Sequence, residues 1–182
     1  MKIAVMGYSG AGKSTLAAKL AQYHSFPLLH LDRVHWLAGW KPRDLESQRE
    51  ILSKFMEQNS SWVIDGNYTK NHYDKRLEEA DLVILMLFGR AACLLGAAKR
   101  RAKYKNRSRP DMGEGCEEKL DGEFISWILF GSRNKKQRER YAGIVKKYPE
   151  KTVVIKNRRR QRAFEGSYFC NGQDQRDADP GL

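Results

Sequence analysis

Gly7-Tyr8-Ser9-Gly10-Ala11-Gly12-Lys13-Ser14 is a complete G-x-x-x-x-G-K-[ST] sequence. It follows the apolar run Ile3-Ala4-Val5-Met6 and precedes a helical pattern that places Leu16, Ala17 and Leu20 on one side. A strand, a glycine-rich turn and a helix in this order form a nest of backbone N–H groups at a helix N-terminus, which binds phosphates. The stretch therefore predicts a phosphate-binding loop, the alternative being a glycine-rich turn without a ligand.

The side chains of this loop indicate how a nucleoside triphosphate would bind. Lys13 is predicted to reach the β- and γ-phosphates and to act in catalysis, and Ser14 to offer its hydroxyl to Mg²⁺. Thr15 is a neighbour that can help to hold an α-phosphate. We therefore expect ATP or GTP, together with Mg²⁺, as the cofactors. The loop residues predicted to bind the nucleotide are Gly7, Ser9, Gly10, Ala11, Gly12, Lys13, Ser14 and Thr15.

Strand-like apolar runs alternate with helical patterns along most of the chain. The predicted strands are 2–6, 27–31, 62–64, 82–88 and 152–155. The predicted helices lie near 13–24, 43–58, 70–79, 90–104 and 122–148, the last divided near Gly131-Ser132. This alternation predicts a three-layer α/β fold, in which a five-stranded parallel sheet has helices on both faces. Ligands of such sheets bind at the carboxyl ends of the strands, where Gly7, Asp32 and Asp65 are expected.

The length of 182 residues indicates one domain, predicted to span 1–162. Residues 163–182 contain glycines and polar residues without periodicity, and are predicted to form an irregular or disordered tail. No apolar run is long enough for a membrane span, and the chain enters its first strand directly, which argues against a signal peptide. The three cysteines are scattered, without disulfide or metal-site spacing. Together these features predict a cytoplasmic protein.

The basic residues are concentrated in the second half of the chain. Residues 90–162 hold 22 basic and 8 acidic side chains, whereas residues 1–89 hold 11 and 10. Such a stretch attracts a triphosphate, a phosphorylated substrate or nucleic acid, or is a solvated basic face. Its densest part is a cluster on a predicted helix, expected to face water and to point away from Gly12: Arg133, Lys135, Lys136, Arg138 and Arg140.

Five segments, in this order, make the chain similar to the DNA topology modulation protein family (FlaR-type), a branch of the adenylate kinase-like P-loop proteins. The resemblance spans roughly residues 1–160 and implies a small cytoplasmic fold of the adenylate and shikimate kinase type, with a mobile basic lid. The family's name reports an association with DNA topology and does not establish a reaction. The segments are Gly7–Thr15, His30–Trp36, Trp62–Tyr68, Arg107–Met112 and Asn157–Arg159.

Two aspartates are candidates for the chemistry of phosphoryl transfer. Asp65 follows an apolar strand and is predicted to hold Mg²⁺ as a Walker-B-like carboxylate, or else to cap the following segment. Asp32 is predicted to end the second strand and to orient or deprotonate an acceptor hydroxyl. His35, Trp36 and Trp40, with Arg33, would then line the acceptor pocket. The alternative is that Asp32 caps a helix and that the tryptophans pack in the core.

The resemblance implies a lid at about residues 100–121, between the fourth strand and the last helical region. Arginines in such lids close over phosphates and neutralise charge in the transition state. Arg107 and Arg109 are the predicted catalytic arginines, ahead of Arg100 and Arg101. Arg158 follows the fifth strand, where such folds often contact adenine, and is predicted to bind the nucleotide.

Two functions follow from these features. The first is a phosphotransferase that moves the γ-phosphoryl group of ATP·Mg²⁺ to a small-molecule or nucleotide acceptor. The alternative is an ATP-binding, DNA-associated protein that modulates topology through non-specific contacts with the DNA backbone. The chain has no recognisable DNA-reading motif, so contacts of this kind would be made mostly with phosphates.

Overall fold

A computed structural model describes most of the chain. The described residues are 1–105, 109, 111–113, 115–118 and 120–171. Arg107, one of the predicted catalytic arginines, lies outside the described residues, as do residues 172–182 of the predicted tail.

A five-stranded parallel sheet forms the centre of the fold, as predicted. Within the described residues the strands are β1 (Lys2–Gly7), β2 (Leu28–His30), β3 (Trp36–Leu37), β4 (Lys41–Pro42), β5 (Trp62–Asp65), β6 (Leu82–Met86) and β7 (Thr152–Ile155). The sheet has the order β2-β5-β1-β6-β7, and β3 and β4 form a separate antiparallel hairpin that the sequence pattern did not indicate.

The central position of β1 explains its unbroken apolar run. Ile3, Ala4, Val5 and Met6 are all fully buried, since helices cover both faces of the sheet. In the sheet, β1 pairs with β5 on one side and with β6 on the other, and Val5 lies opposite Asp65. This register brings the carboxyl end of β5 alongside the loop that follows β1.

Eight α-helices surround the sheet in the described part of the chain. They are α1 (Lys13–His24), α2 (Leu31–His35), α3 (Leu45–Gln58), α4 (Tyr73–Glu79), α5 (Arg90–Lys103), α6 (Gly122–Leu129), α7 (Lys135–Lys147) and α8 (Arg158–Asn171). The predicted division near Gly131 is confirmed, because a short 3-10 turn, Gly131–Arg133, separates α6 from α7. Among the described residues, no helix combines the length and the apolar character that crossing a membrane requires.

The second strand is shorter than predicted. It ends at His30, and Asp32 lies in the first turn of α2 instead of at the strand end. The helix forms because Leu31 and Val34, three residues apart, both bury their side chains against the core. Asp32 and His35 therefore share the other side of one helical turn.

The predicted irregular tail is wrong for residues 163–171, which belong to α8. Phe164 and Tyr168 lie four residues apart and pack against the core. An ion pair of 2.6 Å between Lys19 Nζ and Glu165 Oε2 ties the same helix to α1. The helix is therefore held by tertiary contacts with α1, while its own apolar periodicity is weak.

Candidate active site

The predicted phosphate-binding loop, residues 7–14, which we call the phosphate loop, connects β1 to α1 in a conformation that requires glycine. Gly10 and Gly12 have φ values of +77° and +96°, in the left-handed region. A Cβ at Gly10 would lie 2.0 Å from the carbonyl oxygen of Cys93, so α5 packs directly against the loop. The loop is therefore held from outside by a helix that follows the neighbouring strand β6.

Asn67 holds the first residue of the loop. The Gly7 N–H donates to Asn67 Oδ1 at 2.9 Å, and Asn67 Nδ2 donates to the Gly7 carbonyl. Both backbone groups of Gly7 are thus bound by one amide side chain. Asn67 is not among the predicted site residues, although it lies in the Trp62–Tyr68 segment that carries the family resemblance, two residues after Asp65.

Lys13 lies between the loop and the two candidate aspartates. Its Nζ donates to the Tyr8 carbonyl at 3.2 Å, across the loop. The charge of Lys13 also acts to lower the pKa of both Asp32 and Asp65, although it is not the largest influence on either. The lysine is therefore close to both carboxylates and to the phosphate-binding turn.

Asp65 is the last residue of β5 and is almost fully buried. Its Oδ2 lies 3.0 Å from His30 Nδ1, and the Ser14 hydroxyl interacts with the same carboxylate. Burial alone would raise the pKa of Asp65, but the hydrogen bond with His30 and the charge of Lys13 outweigh it, so that the pKa is lowered. The carboxylate is consequently held in its charged form.

The chemistry of Ser14 and Asp65 fits a magnesium ion. Asp65 Oδ1 is buried and has no hydrogen-bond partner among the described residues. A carboxylate oxygen and a hydroxyl are ligands that Mg²⁺ accepts, with phosphates and waters in its remaining positions. These two side chains, at the start of α1 and the end of β5, can hold the ion beside the phosphate loop.

Asp32 is a carboxylate with a raised pKa. Burial is the largest cause and the charge of Asp65 the second, while Tyr68, Lys13 and Arg109 act in the opposite direction. Its Oδ1 accepts a hydrogen bond of 2.8 Å from the Tyr68 hydroxyl. A carboxylate whose affinity for a proton is increased is suited to accept one from a hydroxyl.

Arg76 holds the loop of residues 66–71 that carries Tyr68. The side chain is fully buried, and it donates to the carbonyls of Asn71 (3.0 Å), Gly66 (3.2 Å) and Tyr68 (2.7 Å). Burial lowers its pKa to about 10. One guanidinium group therefore determines the course of the chain between Asp65 and the acceptor side of the cavity.

We expect Arg76→Leu to lower the free energy of unfolding by about 3 kcal/mol or more, because three carbonyls lose a charged donor inside the protein. Urea denaturation monitored by circular dichroism measures the change. Arg33→Leu is the control, since Arg33 is exposed on α2. Equal midpoints for Arg76→Leu and the parent protein would show that the loop does not depend on this arginine.

Of the two arginines predicted to be catalytic, Arg107 and Arg109, the structure describes Arg109. It is 7% exposed, and it pairs with Asp111 at 3.0 Å and with Glu118 at 2.6 Å. Glu118 also pairs with Arg100 at 2.7 Å. The charge of Arg109 acts to lower the pKa of Asp32, so the arginine acts on the acceptor side of the cavity.

The hairpin of residues 36–42 and the described residues of 109–118 contact each other and form what we call the roof. Trp40 Nε1 donates to the Glu117 carbonyl at 3.1 Å, and the Gly39 N–H donates to the Gly115 carbonyl at 3.2 Å. Cys116 Sγ donates to the Leu37 carbonyl at 3.2 Å. Two segments distant in sequence thus cover one side of the site together.

A cleft of about 1010 Å³ opens beneath the roof. Five of the predicted site residues line it, as do three of the predicted acceptor-pocket residues: Ser9, Lys13, Asp32, Asp65, Arg109, His35, Trp36 and Trp40. Arg33 is exposed and is not part of the lining. The cleft therefore brings together residues from α1, α2, β5 and the roof.

Arg158 lies beside the phosphate loop. Its guanidinium carbon is 4.9 Å from the centre of the Phe88 ring, and a Cβ at Gly12 would lie 3.0 Å from its Nη1. Gln161 accepts a hydrogen bond of 2.7 Å from the same Nη1. This position is next to the start of α1, while the adenine contact predicted from the sequence remains a prediction.

The prediction that the basic cluster points away from the loop is wrong for Arg133. Its guanidinium carbon lies 3.8 Å from the centre of the Tyr8 ring, and Nη2 donates to the Phe88 carbonyl at 2.8 Å. The reason is the 3-10 turn before α7, which brings the chain back over the loop. Arg140 lines the cleft, and the exposed members are Lys135, Lys136 and Arg138.

Comparison with known sequences gives a short match. No protein-family model matches the chain, so the resemblance to the topology modulation family stays a prediction. One stretch of 65 residues is 34% identical to the protein described as "Uncharacterized protein YqaC" of Bacillus subtilis (strain 168). It covers 35% of this chain and 36% of that relative, so the chain matches little more than a third of the relative's length.

Comparison with solved structures shows the fold. Deoxyadenosine kinase from M. mycoides with bound dATP matches with a TM-score of 0.51 and 18% identity, over 86% of this chain and 91% of that chain. Shikimate kinase from Acinetobacter baumannii in complex with shikimate matches with a TM-score of 0.52 and 14% identity, over 92% of each chain. TT1252 from Thermus thermophilus matches with a TM-score of 0.52 and 14% identity, over 92% and 96%. The chain therefore has the α/β fold of the P-loop kinases, as predicted.

Proposed function

We propose that the chain is a phosphotransferase that moves the γ-phosphoryl group of ATP or GTP to a hydroxyl of a small-molecule or nucleotide acceptor. The observation that carries this proposal is the meeting of three groups in one cleft. Lys13 lies beside the phosphate loop, and Asp65 lies beside Ser14. Asp32 is close enough to both Lys13 and Asp65 for their charges to change its pKa. These are the groups that phosphate binding, metal binding and proton acceptance require.

In the proposed reaction, the loop N–H groups and Lys13 bind the β- and γ-phosphates. Ser14 and Asp65 would hold Mg²⁺, which supplies positive charge to the phosphates when bound. The acceptor oxygen forms a bond to the γ-phosphorus while the bond from that phosphorus to the β–γ bridging oxygen breaks and the diphosphate leaves. The proton of the acceptor hydroxyl passes to Asp32, and Arg109 neutralises charge on the transferring group.

The fold comparisons support this proposal at the level of architecture. Two of the structures that share the fold are kinases by name, one described with bound dATP and the other in complex with shikimate. The DNA-associated alternative has no such support and is not proposed. Moreover, Arg133 packs on Tyr8 and Arg140 lines the cleft, so two of the five residues of the basic cluster face the site and are not on the solvated surface that DNA would contact.

A panel of acceptors with release of ADP as the readout tests the proposal. Nucleosides, nucleotides, sugar acids and oligonucleotides with a free 5′ hydroxyl are each mixed with ATP and increasing Mg²⁺. We expect one class of acceptor to raise the rate of ADP release well above the rate that the protein shows with ATP and no added acceptor. If none does while ATP still binds, the proposed transferase activity is wrong.

We expect Asp65→Asn to remove the magnesium dependence and to lower turnover by about 100-fold or more, because the ion loses an anionic ligand.

The same substitution should also lower stability. The pKa of Asp65 is lower in the folded protein than in the unfolded chain, so its charge stabilises the fold at pH values above the unfolded-state pKa. This contribution is lost as the pH falls through the folded-state pKa of Asp65. The variant should therefore melt at a lower temperature at neutral pH. Asp74→Asn, at an exposed position on α4, is the control. If Mg²⁺ activates Asp65→Asn as it does the parent protein, Asp65 does not hold the metal and serves only the fold.

A further inference from the structure

The amide of Gln48 has a defined orientation in the wall of the cleft. This side chain is 3% exposed, its Nε2 donates to the Arg43 carbonyl, and its Oε1 accepts from Asn71 Nδ2 at 2.8 Å. A reversed amide would place Oε1 against the Arg43 carbonyl, two acceptors facing each other. The oxygen of Gln48 therefore points towards Asn71 and His35.

The orientation of Gln48 determines the tautomer of His35. His35 Nδ1 lies 3.1 Å from Gln48 Oε1, and because that oxygen can only accept, Nδ1 carries the hydrogen. In the neutral ring, Nε2 is then a hydrogen-bond acceptor on the opposite side of the imidazole. No hydrogen bond from a described residue reaches this Nε2, and the ring lines the cleft.

Asp32 provides a second acceptor on the same side of α2. Its Oδ1 is taken by the Tyr68 hydroxyl, whereas no described residue donates a hydrogen bond to Oδ2. Residues three apart on a helix have Cβ atoms about 5–6 Å apart and face the same way. With the His35 ring in its neutral form, the cleft therefore presents two neighbouring hydrogen-bond acceptors, Asp32 Oδ2 and His35 Nε2, which two donors of a ligand can satisfy.

The surroundings of these two acceptors are aromatic. The Trp36 ring packs edge-on against His35 with centres 4.5 Å apart, and Tyr68 lies 4.7 Å from His35. Trp36 in turn packs against Trp40, whose indole N–H donates to the Glu117 carbonyl. Because much of the remaining surface beside His35 is aromatic, it suits the C–H face of a compact polyhydroxylated molecule.

We propose that the acceptor carries a diol at this point: one hydroxyl, the one phosphorylated, donates to Asp32 Oδ2, and its neighbour donates to His35 Nε2. This inference rests on the proposed phosphotransferase activity and names the substrate class of the same site. His35 is then a specificity-determining residue, and Gln48 a positioning residue that keeps the imidazole nitrogen as an acceptor. An acceptor with a single hydroxyl leaves His35 without its partner.

Matched pairs of probes that differ by one hydroxyl test the diol. The pairs are adenosine and 2′-deoxyadenosine, uridine and 2′-deoxyuridine, and cis-1,2-cyclohexanediol and cyclohexanol, and in each pair the second member has no vicinal diol. Calorimetry in the presence of Mg²⁺ and a non-hydrolysable ATP analogue measures their affinities, and ADP release measures turnover with ATP. We expect the parent protein to favour the diol of at least one pair by about tenfold or more, since a site that hydrogen-bonds a hydroxyl disfavours a ligand lacking it.

Two variants assign that preference to the histidine and its tautomer. His35→Phe keeps an aromatic ring but removes the acceptor, so the preference should shrink to near equality while the deoxy probe binds as before. Gln48→Glu places a carboxylate beside Nδ1, which favours the doubly protonated ring and turns Nε2 into a donor, so the preference should also be lost. Control measurements on Arg33→Leu, an exposed position of α2, should show the parent's preference.

Nitrogen-15 NMR of the histidines provides a readout that does not depend on turnover. We expect His35 in the parent protein to be the Nδ1–H tautomer, and its Nε2 signal to shift when the favoured diol is added. Equal affinity within every pair, no binding of any probe, an unchanged preference in His35→Phe, or an Nε2–H tautomer would each overturn the inference. Diol binding of this kind without ADP release would instead leave the site standing and refute the proposed transferase activity.

Discussion

Replacing Lys13 with Ala should lower ADP release with a productive acceptor by about 100-fold or more. The ammonium group is placed to offset charge on the β- and γ-phosphates, and removing one such preorganised donor typically costs roughly 3 kcal/mol in the transition state. Because Lys13 also reaches across the phosphate-binding turn to the Tyr8 carbonyl, affinity for the nucleotide should fall as well. Steady-state kinetics and calorimetric titration with ATP·Mg²⁺ measure both effects.

Lys19→Ala is the matched control for this experiment. Lys19 lies on the same helix, but its side chain is half exposed and pairs with Glu165 of α8 at 2.6 Å. Its loss should leave the kinetics near those of the parent. Parental affinity and turnover in Lys13→Ala would remove the basis for assigning nucleotide binding to this loop.

Asp32→Asn should lower turnover by a factor of roughly 10² to 10⁴, the range expected when a general base is lost, with little change in ATP affinity. Asparagine keeps the shape and can still accept the Tyr68 hydrogen bond, but it cannot take a proton from the acceptor. In the parent, kcat/KM should fall as pH drops through the raised pKa of Asp32, at a pH above the ordinary aspartate range. The variant should lose this acid limb.

The same substitution should make the protein more stable at neutral pH. Burial, the largest cause, raises the folded-state pKa of Asp32 above its unfolded value, so the folded protein holds this proton more tightly than the unfolded chain does. The free energy of unfolding therefore decreases as pH rises between those two values and stays lower above them. An asparagine side chain does not ionise and carries no such cost, and the difference in melting temperature should vanish in acid.

Asp74→Asn, at an exposed position on α4, is the control for both effects of Asp32→Asn. We expect parental turnover from this variant at every pH. A lower melting temperature for Asp32→Asn at pH 7, together with retained turnover, would show that Asp32 serves the fold and is not the proton acceptor.

The sequence was sufficient for the sheet and the loop because both are encoded locally. Ile3–Met6 form an unbroken apolar strand, and the spacing of Gly7, Gly12 and Lys13 defines the turn that follows. The carboxyl ends of parallel strands meet at one edge, so the placement of Asp65 also followed. These features need only nearest neighbours and the topology of the sheet.

The residues that were missed depend on partners that are distant in sequence. Asn67 acts on the phosphate loop through its hydrogen bond with Gly7. Arg76 orders the loop of residues 66–71 because it donates hydrogen bonds to three of its carbonyls. Gln48 affects the site through its hydrogen bonds with Asn71 and His35. None of these pairings leaves a periodic trace, so composition and spacing could not reveal them.

The course of the basic segment was misjudged for a related reason. A helical pattern with charges on one side predicts a solvated face, and Lys135, Lys136 and Arg138 have that exposure. Arg133 lies in the preceding 3-10 turn, however, and its direction is set by Tyr8 and Phe88 of the site. Helical periodicity predicts the direction of side chains within α7, but it does not predict the direction of Arg133, which precedes the helix.

The hydrogen bonds within the roof make its two segments, residues 36–42 and 109–118, dependent on each other. Three hydrogen bonds join residues 37–40 to residues 115–117, and each of them involves a backbone carbonyl. A chimera that received residues 109–118 from another protein of this fold, without the matching hairpin, would leave the Leu37 carbonyl, the Gly39 N–H and the Trp40 indole N–H without these partners. Exchange of acceptor preference between such proteins therefore requires both segments to be transplanted together, even though 77 positions of the chain separate Trp40 from Glu117.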